Sequence, residues 1–266
     1  MKNILVVVVV LTLISFTMPL KKISTESLWL SHPIQVDGKL LEWPTDMQFY
    51  NSNTELAYTI ANDSSNLYLC FQVFDELMQM KILKAGMVVS VDTNGKKKEH
   101  IIIQYPLSYL GGGEGREPDF ADIREKFKMQ PQFVQLSGFS SANGQNLLQT
   151  SNGVVVKLDW DENNNMNYEL AIPFSSFGKT KLTKNSVSNT YRLKVRLPAM
   201  EQFAVDATSG ATSKGGGKSG GGGKPGGGGR PAGVGAPPGV SGGDRSQFAK
   251  LFMEQKMSQK FVFSLQ

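Results

Sequence analysis

The stretch Leu67–Asp75, with the sequence LYLCFQVFD, decides the fold. Apolar side chains from Leu67 to Phe74 fall on both faces of an extended chain, a pattern typical of a strand that is covered on two sides. Such a strand needs packed layers around it, so we expect it at the centre of a β-sandwich. Cys70 is the only cysteine, which excludes an intramolecular disulfide and fits a small core residue in this strand.

Two hairpins are predicted further along the chain. Met87–Val91 and His100–Gln104 flank an Asn-Gly pair, which favours a tight turn with positive φ. Val154–Leu158 and Tyr168–Ile172 flank the polar loop Asp161–Asn165 and form the second pair. Both hairpins favour antiparallel sheets.

The last third of the chain mixes strand and helix patterns. Tyr191–Leu197 alternates apolar residues with Arg and Lys, which predicts a strand with one face in the core and a basic face in water. Phe261–Leu265 alternates again, and we expect it to return as the last strand of the sandwich. Asp119–Met129 and Gln247–Met257 have apolar residues at helical spacing and predict two short helices lying over the sandwich.

A glycine-rich tract at residues 209–243 separates the strand Tyr191–Leu197 from the C-terminal helix and strand patterns. Glycine loses much backbone entropy on ordering, and the tract has almost no apolar side chain to bury, so we expect a flexible, disordered loop. The net charge is +5 with a pI of about 9.1, and part of the excess lies in this tract, at Lys214, Lys218, Lys224 and Arg230. A solvated linker and weak attachment to anionic surfaces both stay open, and nothing else indicates nucleic acid as a partner.

Together these elements predict an all-β, antiparallel, jelly-roll-like β-sandwich with one or two short peripheral helices and a disordered glycine-rich loop. We expect a signal peptide or N-terminal anchor at 1–20, the sandwich at 28–208, the flexible segment at 209–243, and a helix and final strand at 244–266 that return to the sandwich.

The N-terminus predicts export. A lysine at position 2 precedes a run from Ile4 to Phe16 that is apolar except for Thr12 and Ser15, the pattern of a secretory signal. The run is short for a membrane span, which needs about 20 residues, so we expect no membrane span after cleavage. The predicted location is the periplasm, the cell surface or the extracellular space.

Three segments resemble the family 9 carbohydrate-binding modules and DOMON-like sandwiches. They are Ile34–Trp43 (IQVDGKLLEW), Leu67–Asp75, and Tyr168–Phe177 (YELAIPFSSF). The resemblance implies the sandwich fold and a non-catalytic glycan-binding role. The residues themselves favour scaffold roles: Trp43 closes one end of the core, and Glu169 holds a neighbouring backbone or a basic side chain.

No catalytic machinery is recognisable, so we expect a protein that is not an enzyme. The chain has two histidines, His32 and His100, and neither lies near a serine or cysteine motif. The glycines at 111–115 lack the lysine and serine or threonine of a phosphate loop. No pair of carboxylates stands out as a glycosidase pair.

The candidate ligand-binding residues lie in two loops. Trp160 stands where a strand enters the polar loop, so its ring could stack on a sugar while Asp161 and Asn163 bond hydroxyl groups. A tryptophan that caps the core edge is the alternative. Tyr105 and Tyr109 flank another loop and are weaker candidates of the same kind.

The polar loop also has the first residues of a calcium-loop pattern. Asp159, Asp161 and Asn163 give alternating oxygen ligands, but Asn164 in the sixth position and Leu170 in the twelfth exclude an EF-hand. A looser calcium site and an ordinary solvated hairpin both stay open, and we predict no other cofactor or metal.

Three functions remain open on this evidence. The first is a glycan-binding module, which follows from the resemblance and from Trp160. The second is a cell-envelope interaction protein with an envelope component as its partner, favoured by the glycine tract and the apolar last strand. The third is a haem-binding electron carrier of the DOMON type, which would need Met or His axial ligands in one pocket.

Overall fold

The structure is a computed structural model that describes residues 24–43, 46–92, 100–107, 120–130, 132–139, 143–148, 153–178, 181–183, 187–200 and 248–265. The predicted signal segment at 1–20, the glycine-rich segment at 209–243 and Tyr109 lie outside the described residues.

Two mixed sheets pack face to face. The seven-stranded sheet has the spatial order β1 (Thr25–Glu26), β13 (Gln255–Val262), β12 (Tyr191–Leu197), β6 (Met87–Asp92), β7 (Ile101–Tyr105), β8 (Phe133–Ser137) and β9 (Gly144–Leu147). The six-stranded sheet has the order β10 (Val155–Trp160), β11 (Met166–Pro173), β5 (Asn66–Val73), β4 (Leu56–Asn62) and β2 (Leu28–Trp29), with β3 (Phe49–Asn51) also paired to β4. The two-residue strand β1 pairs in parallel with β13, and the two-residue strand β2 pairs in parallel with β4. All other strand pairs are antiparallel.

The predicted all-β sandwich is confirmed, and β5 lies inside the second sheet between β11 and β4. Leu69 and Phe71 face the main core between the sheets. Tyr68 and Cys70 face outward, but they are buried in a second cluster under the N-terminal segment, with Leu30, Ile34 and Trp43. This second layer is the physical reason why the strand is apolar on both faces.

The strand pairs of both predicted hairpins are present, as β6–β7 and β10–β11, and the predicted turn at Asn94-Gly95 lies outside the described residues. The predicted helix over Asp119–Met129 is α2, Phe120–Met129. The prediction of a helix over Gln247–Met257 is wrong beyond its first turn: only 248–251 are helical, and Gln255–Val262 pairs with β12 along its length. Strand pairing at Met257 and Phe261 buries the apolar side chains, and this long-range gain overrides the short helical pattern.

Two short helical elements were not predicted. One is α1, Glu76–Ala85, which begins at Asp75, whose side chain accepts a hydrogen bond from the Met78 N–H at 2.9 Å. It ends at Gly86, which has a φ of +77°. The other is a 3-10 helix, Phe174–Phe177, which follows Pro173 at the end of β11.

Lys81 of α1 ties the C-terminal segment to the sandwich. Its side chain is fully buried, and its ammonium group donates hydrogen bonds to the carbonyl oxygens of Lys250 (2.8 Å) and Met253 and to the side-chain oxygen of Gln255. Burial lowers the pKa of Lys81 to about 8. Three acceptors match the three donors of an ammonium group, so this cation fixes the approach of the chain to β13.

Replacing Lys81 with methionine tests this tie, because Met fills a similar volume without donating a hydrogen bond. We expect Lys81→Met to lower the free energy of unfolding by about 2–3 kcal/mol, the usual loss when buried acceptors lose a charged donor. Urea unfolding monitored by circular dichroism measures it. The control is Lys126→Met on the exposed face of α2, and equal midpoints for both variants would contradict the role of Lys81.

Candidate functional site

The residues that carry the family resemblance form a structural joint. Glu169 of β11 is fully buried. One carboxylate oxygen accepts the backbone N–H groups of Asp37 (3.0 Å) and Gly38 (2.6 Å), and the other accepts the indole N–H of Trp43 at 2.6 Å. Burial raises the pKa of Glu169 above its ordinary value, while these three donors act in the opposite direction. Glu169 therefore holds a neighbouring backbone, as predicted, and is unavailable to a ligand.

Gly38 is required at this joint for two reasons. Its φ of +87° is a conformation that residues with a side chain rarely adopt. A Cβ atom at this position would also lie 2.5 Å from the Cβ of Asp159. The N-terminal segment can therefore lie directly on β10 only because position 38 has no side chain.

Changing Glu169 to glutamine tests the joint. The amide replaces one acceptor oxygen with an NH₂ group, which then faces a donor. We expect Glu169→Gln to lower the free energy of unfolding by about 2–3 kcal/mol. Glu162→Gln, on the exposed loop, is the matched control, expected within about 0.5 kcal/mol of wild type. If thermal and urea unfolding leave the two variants indistinguishable, the joint contributes no stability.

Trp160, the leading candidate, is half-buried at the end of the edge strand β10. Its ring lies edge-on to Phe127 of α2, with centroids 6.0 Å apart and an interplanar angle of 83°. Its indole N–H donates to the side-chain oxygen of Gln79 at 2.8 Å. The cations of Arg124 and Lys128 lie 5.8 Å and 5.5 Å from the ring centroid. The indole is therefore fixed against the core and has charged side chains beside it.

The polar loop is held mainly by its own hydrogen bonds. One oxygen of Asp161 accepts the backbone N–H groups of Asn163 (2.9 Å) and Asn165 (2.8 Å). Asn164, with a φ of +62°, connects the loop to both helices: its carbonyl accepts from Gln79 at 2.9 Å and its side chain accepts from Arg124. Asn163 itself is exposed. Of the two predicted loop residues, Asn163 is exposed to water, whereas the carboxylate of Asp161 accepts hydrogen bonds from the loop backbone.

Tyr105 lies in the core. Its exposed fraction is 1%, its ring contacts Phe127 and Tyr168, and its hydroxyl donates to the side chain of Gln132 at 3.1 Å. Burial raises the pKa of Tyr105. A ring in this position is not available for stacking from solvent, so it does not join the Trp160 end of the molecule.

Three neighbours of Trp160 were not found from the sequence: Gln79, Arg124 and Lys128. Gln79 lies on α1, which was not predicted. Arg124 and Lys128 lie on α2, which was predicted, but its position over the end of β10 depends on the packing of Ile123 and Phe127 into the core. The spacing of Arg124 and Lys128, four residues apart on a helix, was the available signal for a shared face.

No group of three or more His, Cys, Asp and Glu side chains that could hold a metal ion occurs in the part of the chain that the structure describes. The looser calcium site at the polar loop stays one of the two alternatives that the sequence left open. Within the same residues, no helix is both long enough and apolar enough to cross a membrane.

The solved structures that are similar to this chain include a carbohydrate-binding module. No family model matches the sequence, and no curated protein matches it. The chain is similar to a family 9 carbohydrate-binding module from Caldicellulosiruptor kristjanssonii, solved in complex with glucose, at 10% identity. The match covers 67% of this chain and 79% of the other, with a TM-score of 0.37. A likeness of this size does not bear on the ligand of this chain.

Proposed function

We propose that this chain is an exported, non-catalytic glycan-binding protein whose binding surface is the Trp160 end of the sandwich. One observation carries the proposal: a half-buried indole is held rigidly at a sheet edge beside polar side chains from three elements. Sugars bind proteins by stacking their apolar C–H face on an aromatic ring while polar groups bond their hydroxyls. A fixed ring loses little entropy when a ligand stacks on it.

The polar neighbours supply the remaining contacts. Arg124 is held by Glu76 (3.1 Å) and Asn164, so its guanidinium is positioned before a ligand arrives. The exposed amide of Asn163 can donate to and accept from a hydroxyl.

Lys128 lies over the ring and must move for a pyranose to stack there. Besides its contact with the ring, it forms an ion pair with Asp159 at 3.3 Å, and its side chain is 52% exposed. An exposed ion pair contributes about 0–1 kcal/mol and an exposed cation–π contact about 0.5–1 kcal/mol, so moving Lys128 off the ring costs little. Lys128 is therefore a displaceable cover rather than a barrier.

The proposal includes no chemical step. The carboxylate of Asp161 already accepts backbone N–H groups of the loop. The carboxylate of Asp159 accepts the backbone N–H of Trp160 and forms an ion pair with Lys128. Neither carboxylate is positioned as the acid or the nucleophile of a glycosidase.

Export rests on the apolar N-terminal run of the sequence, outside the described residues.

A panel of neutral oligosaccharides tests the proposal by thermal shift, followed by calorimetry on any hit. We expect Trp160→Ala to weaken binding about tenfold or more, the equivalent of about 1.4 kcal/mol. Because this variant also loses packing, Trp160→Phe is compared with it: an aromatic face without the N–H should retain most of the affinity. Trp29→Ala, on the opposite edge of the same sheet, is the control.

Lys128→Ala sharpens the same experiment, because it uncovers the ring. We expect equal or tighter binding of the neutral glycan. If no glycan in the panel binds, or if Trp160→Ala and Trp29→Ala weaken binding equally, the proposed site is rejected. The envelope-interaction role would then be the alternative to pursue.

A further inference from the structure

The outer face of the seven-stranded sheet carries a row of basic side chains on β12 and β13. Leu193 and Val195 face the core, so the alternate residues of β12 face outward. The outward pairs across the two strands are Arg192 with Lys260, Lys194 with Ser258, and Arg196 with Lys256. Five of these six outward positions are basic.

A groove of about 460 Å³ lies on this face and extends onto β6. Its walls include Val88 and Ser90 of β6, Lys194 and Arg196 of β12, and Lys256 and Ser258 of β13. The volume falls within the range of about 300–1,000 Å³ that ligand sites occupy. The groove is on the opposite sheet from Trp160, so it is a separate site.

Among the residues that the structure describes, one acid lines the groove beside these cations. Glu254 is the acid of the groove wall, and it pairs with Arg196 at 3.3 Å and Lys256 at 3.9 Å. These pairs are exposed and contribute about 0–1 kcal/mol each, so an anionic ligand can replace them at little cost. Asp92 stands opposite Arg192 at one end of the row, and its side chain is buried.

We propose that this groove binds a segment of a linear acidic polysaccharide, a chain of sugars that carry carboxylate or sulfate groups. The row from Arg192 to Arg196 spans four residue steps, about 13 Å at about 3.3 Å per step. A row of this length suits an extended chain with repeated anions, whereas a single phosphate requires donors that converge on one point. Ser258 provides an exposed hydroxyl partner, and the buried Val88 and Ser90 form the floor of the groove.

Nucleic acid fits this groove less well. Single-stranded nucleic acid is bound by basic grooves that also stack the bases on aromatic side chains. No aromatic side chain lines the groove among the residues described by the structure. An acidic polysaccharide needs charge and hydroxyl contacts, both of which this face provides.

The test uses the whole chain and two forms of one ligand, oligogalacturonate and its fully methyl-esterified derivative, which has the same sugars without the charge. We expect calorimetry at low salt to show binding of the acid form only, and binding should weaken as salt screens the charges. The double variant Arg196→Gln with Lys256→Gln should bind about tenfold more weakly, the effect of losing charge-assisted contacts.

Three further variants make the test specific. Lys157→Gln with Lys181→Gln removes the same charge from exposed positions outside the groove, and it should change affinity less than about twofold. Glu254→Gln removes the competing acid, and it should tighten binding about threefold. Trp160→Ala should leave oligogalacturonate binding intact, which separates this site from the glycan surface proposed above.

Each of the other outcomes overturns the proposal. These are no binding of oligogalacturonate at low salt by the folded protein, equal binding of the ester, or equal losses in the two double variants. Tighter binding of a DNA oligonucleotide or of phosphatidylglycerol vesicles at the same salt concentration would show that the groove takes a different polyanion.

Discussion

The buried carboxylate of Glu169 is the contact on which the rest of this structure depends. A carboxylate removed from water costs several kcal/mol unless donors replace the lost hydration. Here the donors come from the backbone at Asp37 and Gly38 and from the indole of Trp43, so one side chain of β11 fixes the whole N-terminal segment. That segment then covers the outward face of β5, where it buries Tyr68 and Cys70.

This covering determines where a ligand can reach the molecule. The inner faces of both sheets form the main core, and the outer face of the six-stranded sheet carries the N-terminal segment. The end of the edge strand β10, where Trp160 lies, and the outer face of the seven-stranded sheet with its basic row are both open to solvent. The two proposed sites occupy these surfaces, and their chemistry differs because one offers an indole and the other offers cations.

Local patterns predicted the elements whose partners lie close in sequence. The hairpin β10–β11 and the strand β12 follow from alternation alone, since a half-buried strand repeats every two residues. Helix α1 was missed although Asp75 is a good N-cap, because the preceding apolar strand dominates the pattern. The environment of Trp160 could not be predicted, because Gln79 and Arg124 reach it from distant elements.

The C-terminal strand shows most clearly what sequence periodicity leaves out. Alternation in β12 predicted a basic face in water. Lys256 and Lys260 lie on β13, and they join that face only because β13 pairs with β12. That pairing begins directly after the carbonyl groups and the Gln255 side chain that the buried Lys81 holds. A buried cation on α1 therefore holds the start of the strand that displays part of the outer basic row. The basic row is a product of long-range packing, and this is why its charge was visible in the sequence while its shape was not.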